Sequence, residues 1–204
     1  MFIDGPAGRL QALYKSGDAG QAAVVVCHPH PQHGGTMHNK VVYQMARAFE
    51  DSGCSVLRFN FRGVGLSGGS WDEGRGEADD AAAALDWMHR KHAASPLWLA
   101  GFSFGCYAGL HAARYDKRVS RLFAVAPAVN LWPFDFMVGN MIPLTVIAGT
   151  VDDVVPVGAV SDWAENMATA TFHSVEGAGH FFEGHMEQMQ HALLQDIQPV
   201  AYDY

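Results

Sequence analysis

The sequence predicts an α/β fold, a mostly parallel central sheet with helices on both faces. Three observations carry that expectation. Short apolar runs rich in β-branched residues alternate with longer amphipathic patterns along the chain. Gly, Pro or Asp punctuates the boundaries between them. No repeat, linker or low-complexity tract interrupts the alternation, so residues 1–204 read as a single domain.

Residues 22–27 are a buried strand that ends at His28-Pro29. Residues 39–49 follow as a helix, with Val42, Met45, Ala46 and Phe49 on one face and Gly53 as a stop. Residues 55–61 are the next strand. Residues 77–91 are a helix whose acidic start and Arg90-Lys91 end match the helix dipole. A strand over 97–102 runs into a helix over 104–114, then a strand over 119–126. The strand 144–148 precedes the helix 159–168, and the strand 170–175 precedes the helix 186–195. The first twenty residues, including 10–14, add an antiparallel hairpin. Ligands of such sheets bind outside the carboxyl ends of the strands, so chemistry-bearing residues are expected there.

Composition removes several classes of function. Hydrophobic residues make up 49% and charged residues 17%, which is a globular balance rather than a disordered one. Thirteen Lys and Arg stand against twenty-one Asp and Glu, for a net charge of −8. An acidic surface repels phosphate backbones and anionic lipid, so neither nucleic acid nor a membrane is expected as a partner. No apolar run is long enough to span a bilayer. The segment 1–6 lacks the basic flank and apolar stretch of a signal peptide. Cys27, Cys54 and Cys106 cannot all pair, and none forms a C-x-x-C. They point to buried thiols in a reducing cytoplasm.

Gly101-Phe102-Ser103-Phe104-Gly105 is a G-x-S-x-G between a strand and a helix, the context in which that motif carries a nucleophile. A tight strand-to-helix turn projects the Ser103 hydroxyl above the sheet at a helix N-terminus, where partial positive charge suits an oxyanion. The alternative is a Gly-rich turn with an incidental serine. A serine hydroxyl needs a base, usually His held by a carboxylate, in the chain order Ser, acid, His. Asp152 follows the strand 144–148, and His180 follows the strand 170–175 within Gly177-Ala178-Gly179-His180. Asp153 is the rival acid, and Asp135 a weaker one. A turn cap at Asp152 and a plain loop histidine at 180 are the alternative readings.

These segments, with His28-Pro29-His30-Pro31, Gly34-Gly35-Thr36-Met37 and the run from Phe59 through Arg62-Gly63-Val64-Gly65 to Ser67, resemble the α/β-hydrolase superfamily. The resemblance covers nearly the whole chain. It is nearest to the small, capless bacterial group of hydrolases related to dienelactone hydrolases and serine aminopeptidase-like esterases. Dienelactone hydrolases proper use cysteine, so with Ser103 here their lactone chemistry does not transfer. The resemblance implies an α/β-hydrolase fold without a cap domain and a triad of Ser103, Asp152 and His180. It implies an oxyanion hole from two backbone N–H groups, those of Phe104 and of His30, since Pro29 and Pro31 have none. Caps in the superfamily usually follow the strand corresponding to 119–126. Here that stretch is short and aromatic, and Trp132, Phe134 and Phe136 are candidates for an apolar pocket wall, with core packing as the alternative.

Two other motifs compete for attention. His28, His30 and His33 match part of an H-x-H-x-D-H metal motif, but Gln32 stands where its Asp belongs and two prolines stiffen the loop. Gly63 to Gly68 is a literal G-x-G-x-x-G, yet it continues as loop rather than opening a helix, which a dinucleotide site requires. Arg62 and Ser67 are expected to brace that loop instead. The reading is therefore a cofactor-free, metal-free serine hydrolase of small carboxylic esters. A thioesterase or an aminopeptidase could use the same triad, and a non-catalytic hydrolase-fold binding module is the alternative from another class.

Overall fold

The computed structural model describes residues 1–195 and 197. Its centre is one eight-stranded sheet in the order β1-β2-β4-β3-β5-β6-β7-β8. The strands are β1 (Phe2–Gly5), β2 (Gly8–Lys15), β3 (Ala23–Cys27), β4 (Ser55–Phe59), β5 (Leu97–Phe102), β6 (Val119–Val125), β7 (Leu144–Gly149) and β8 (Ala170–Val175). The N-terminal hairpin pairs antiparallel, Phe2 opposite Gln11, and β2 is antiparallel to β4. Every pairing from β4 to β8 is parallel.

Among the described residues five helices cover the two faces: α1 (Lys40–Asp51), α2 (Arg75–Lys91), α3 (Phe104–Ala113), α4 (Val157–Glu165) and α5 (Met186–Gln195). Alternation along each strand sends side chains to opposite faces. In β3, Val25 and Cys27 join a core with Leu85 of α2, Ala108 of α3 and Val160 of α4. Val24 and Val26 join a second core with Met45 and Phe49 of α1 and Leu193 of α5. Covering on both sides explains why all five residues of β3 are buried and why its sequence is an unbroken apolar run. Among the described residues no helix is long and apolar enough to cross a membrane.

Boundaries differ from the sequence expectation where side chains compete for backbone groups. The fourth strand ends at Phe59 rather than 61, because the Phe61 amide donates to the His28 imidazole, N to Nε2 3.0 Å, instead of continuing the ladder. Asn39 lies outside α1 as its cap, its Oδ1 accepting from Val41 N at 2.9 Å. The second helix starts at Arg75, two residues early, because Glu77 reaches back to the Gly74 amide at 2.8 Å and the Asp72 amide at 3.0 Å. The fourth helix spans Val157–Glu165, not 159–168, with Pro156 fixing its entry.

The segment with the dinucleotide-like glycines is a brace. Ser67 Oγ donates to the Asn60 carbonyl at 2.7 Å and accepts from the Gln11 amide at 2.9 Å. Arg62 holds Asp80 of α2 through two side-chain bonds, Nη2 to Oδ1 at 2.8 Å and Nε to Oδ2 at 3.1 Å, with Asp80 fully buried. Asp80 Oδ2 also accepts the Arg62 amide at 2.8 Å. Removing one partner of a buried pair strands the other charge. Asp80→Ala should therefore cost about 3–5 kcal/mol of stability in urea denaturation, and a loss below about 1 kcal/mol would show that water reaches Arg62 freely.

Candidate active site

The sheet reverses its winding at β3, which has β4 on one side and β5 on the other. Residues leaving the carboxyl ends of β3 and β5 are therefore neighbours, Cys27 standing opposite Gly101. Ser103 follows β5 at φ 55° and ψ −119°, a strained conformation for a non-glycine residue, costing about 1–3 kcal/mol. Its amide donates to the Val125 carbonyl at 2.9 Å. Both flanking glycines are required by close approach. A Cβ at Gly101 would meet the Gly105 carbonyl oxygen at 2.5 Å, and one at Gly105 would meet the Cys27 carbonyl oxygen at 2.5 Å. The elbow is thus wedged against the end of β3.

The loops that carry Asp152 and His180 leave β7 and β8, which are paired. They are stitched together by Val151 N to the Ala178 carbonyl at 3.0 Å and by Gly177 N to Thr150 Oγ1 at 2.9 Å. The approach at Gly149 is so close that any Cβ there would run into the Ala178 carbonyl. His180 Nδ1 lies 2.8 Å from Asp152 Oδ2, and His180 Nε2 lies 3.1 Å from Ser103 Oγ. Asp152 Oδ1 accepts from the amides of Val154, 2.8 Å, and Val155, 2.7 Å, so its carboxylate orientation is fixed from both ends. All three side chains are buried. Asp153, the rival acid, is exposed one residue away, and Asp135 sits in the 3₁₀ turn Asp135–Met137, outside the cleft.

Ser103 and His180 open on a cleft of about 330 Å³. Its walls include His30, His33, Gly34, Gly35, Phe104, Leu131, Trp132, Val154 and Phe181. Of the expected wall residues, Trp132 lines the cleft but Phe134 and Phe136 do not. Phe134 is buried and packs edge-on against Trp163, while Phe136 lies on the His111 ring at 3.5 Å. Phe134 packs between Tyr107 of α3 and Trp163 of α4, and the half-buried Phe136 packs against Tyr107 and His111 of α3, so both rings take the packing alternative. Sequence reasoning missed Leu131, Val154 and Phe181. The last two are legible in hindsight, since they flank the acid and base in the chain.

The His30 amide and the Phe104 amide have no acceptor among the described residues, and both border the cleft. The His30 ring is packed by Trp71 at 4.6 Å, Phe104 at 5.0 Å and Trp132 at 5.8 Å. Its Nδ1 accepts from the Gln32 amide at 3.2 Å. Burial, and to a lesser degree the neighbouring His33, holds the His30 pKa below the usual imidazole value. Trp71 gives no signal in sequence, because only the folding of the Arg62 loop carries it there.

His28 is fully buried, with both ring nitrogens committed. Nδ1–H donates to the Pro29 carbonyl at 2.7 Å, and Nε2 accepts from Phe61 N. Neither lone pair is left for a metal, and among the described residues no group of three His, Cys, Asp or Glu side chains could hold one. The role of the histidine-rich loop is architectural at His28 and wall-forming at His30 and His33.

Fold and site together are those of an α/β hydrolase. The family model described as the α/β hydrolase fold matches residues 23–174, and the chain belongs to that family. A serine hydrolase homologue from Coxiella burnetii superposes with a TM-score of 0.91 at 37% identity, covering 97% of this chain and 96% of that one. A structure from Xanthomonas campestris, described as a serine hydrolase without lid, gives 0.87 at 37% identity over 95% of this chain and 90% of that one. Consistent with it, β6 and β7 are joined here by loop and a single 3₁₀ turn, with no inserted cap. An uncharacterized protein of Rickettsia prowazekii (strain Madrid E) is 34% identical over 216 residues, covering all, 100%, of this chain and 90% of the relative.

Burial lowers the His28 pKa from 6.5 to about 4. Between those values the unfolded chain binds the proton more readily than the folded one. The stability contributed by the neutral buried ring is thus fully present above pH 6.5 and is lost as pH falls towards about 4, by about 3 kcal/mol at the limit. Chemical denaturation of the wild type and His28→Gln across this range should show a shallower pH slope for the variant. Equal slopes would mean that His28 takes up its proton as readily in the folded protein as in the unfolded chain.

Proposed function

We propose that the protein is a serine carboxylesterase acting on small esters. The observation that carries the reading is the continuous line from Asp152 through His180 to Ser103 at the floor of an open cleft. The Nδ1–H of His180 donates to Asp152, which leaves Nε2 as the acceptor facing the serine hydroxyl. In acylation, Ser103 Oγ attacks the ester carbonyl carbon while its proton passes to His180 Nε2. The carbonyl oxygen, now negative, accepts from the His30 and Phe104 amides. Collapse breaks the bond to the alcohol oxygen, which leaves with the proton from His180. Water then attacks the acyl-serine, gives its proton to His180, and releases the acid as Ser103 recovers the proton. Asp152 is not protonated in this cycle and keeps the imidazole in one tautomer.

The balance of atoms needs only water and the ester, so the residues present account for the reaction. The free, buried Cys27, Cys54 and Cys106 support a reducing cytoplasm, and burial raises the Cys54 thiol to about 11, away from reactivity.

A fluorophosphonate probe should label the wild type at Ser103 and leave Ser103→Ala unlabelled, with kcat on p-nitrophenyl esters down by about 10⁴–10⁶ in a folded variant. Unchanged turnover by Ser103→Ala would remove the central claim. Asp152→Asn should lose about 10⁴ in kcat through the wrong imidazole tautomer, whereas Asp153→Asn should retain most activity; the opposite ranking would make Asp153 the acid. His30→Ala keeps its amide and should be mild. His30→Pro deletes that donor and should lose about 10²–10³, with circular dichroism checking the fold. Full activity in folded His30→Pro would move the second donor elsewhere in the loop.

A further inference from the structure

The cleft has a chemical bias beyond its triad. No Lys, Arg, Asp or Glu side chain lines it among the described residues. Its titratable lining groups are three imidazoles, His30, His33 and His180. The carboxylate nearest the reaction, Asp152, is buried behind His180 and already holds three donors. It has no role left for a substrate ammonium group. Three exposed apolar side chains border the cleft, Leu131 at 61%, Phe181 at 49% and Val154 at 39% exposure, alongside the exposed His33. Exposed apolar side chains gathered at one mouth mark a surface that is covered in use.

A charged substituent entering this cleft loses water and meets the His30, His33 and Asn39 side chains but no Lys, Arg, Asp or Glu among the described residues, so no opposite charge offsets the cost of burying an ion. We propose that the site selects esters uncharged and apolar on both the acyl and the alcohol side, excluding aminoacyl and carboxylate-bearing substrates by leaving their charges unpaired. This rests on the serine-esterase reading and deepens it, since it separates ester hydrolysis from the aminopeptidase use of the same triad. An aminopeptidase must anchor a free α-ammonium beside the scissile carbonyl, and the walls supply no carboxylate for it. Outside the cleft, the net charge of −8 further disfavours polyanionic substrates during approach. Selectivity here comes from what is withheld from the wrong substrate as much as from what is offered to the right one.

The test compares matched pairs on the full-length protein. On the acyl side, p-nitrophenyl hexanoate is set against mono-p-nitrophenyl adipate, which has the same chain length with a terminal carboxylate. On the alcohol side, 3,3-dimethylbutyl butyrate is set against butyrylcholine, its cationic isostere. The neutral member of each pair should have a kcat/KM about 10- to 100-fold higher, as expected for a charge left without a partner. Leu131→Lys puts a cation into an exposed wall position without touching the triad. It should raise the adipate-to-hexanoate ratio by about tenfold, whereas Leu131→Gln should leave the ratio near the wild-type value.

Equal or better turnover of a charged member, butyrylcholine held over the Trp132 face included, would overturn the selection rule on that side. An unchanged ratio in Leu131→Lys would overturn the assignment of this wall to the acyl group. Fluorophosphonate labelling of Ser103 separates the two levels of failure. If Ser103 is labelled and neutral esters turn over while charged ones do equally well, only the selection rule fails. If Ser103 is unlabelled and no ester turns over, the esterase reading fails and the rule with it.

Discussion

The structure depends on one steric constraint, the close approach of the β5–α3 elbow to the end of β3. Ser103 can occupy its positive φ only because the residues two places on either side carry no Cβ. The strain is held by the Val125 carbonyl, by the packing of α3 and by the β3 backbone beneath Gly105. The same wedge puts the Phe104 amide at a helix start, where an α-helix leaves its N–H groups without internal partners. It also sets that amide beside the loop leaving β3. The position of Ser103 and the unbonded Phe104 amide are thus consequences of one contact.

The loop leaving β3 is held by a different economy of groups. His28 turns inward, takes the Phe61 amide and closes on the Pro29 carbonyl. The chain then doubles back, with His33 N and Gly35 N both donating to the His30 carbonyl at 3.1 and 3.0 Å. This fold-back leaves the His30 amide free while its ring is gripped by Trp71, Phe104 and Trp132. Trp71 is carried by the segment anchored through Arg62 to Asp80. A buried ion pair some distance along the chain therefore supports the wall of the cleft, a positioning role distinct from any net gain in stability.

Asp152 and His180 follow neighbouring strands, and their loops are bonded to each other before either reaches Ser103. Mutual bonding limits the freedom each loop would otherwise have to give up on positioning its side chain. Asp152 shows the result: one oxygen is spent on the loop's own amides and the other on His180. That division of labour also explains why Asp153, next in the chain, has no part in the line.

The sequence by itself determined the alternation of strands and helices, the elbow, and the placement of Ser103, Asp152 and His180 just past strand ends. These are local signals: apolar period, a pair of glycines, and residues immediately after strand ends. It also read the Gly63–Gly68 run as continuing loop, and the next helix does begin only at Arg75. What it could not decide was which side chains face each other across the sheet. Phe134 and Phe136 look like pocket residues in a row of aromatics, but the turn at Asp135–Met137 directs them under α3 and α4 and leaves Trp132 and Leu131 at the cleft. The commitment of both His28 nitrogens, the arrival of Trp71 and, among the described residues, a cleft lining without Lys, Arg, Asp or Glu were decided by tertiary structure alone. Each depends on contacts between segments far apart in the chain, and hydrophobic periodicity encodes which face of an element is buried, not what it is buried against.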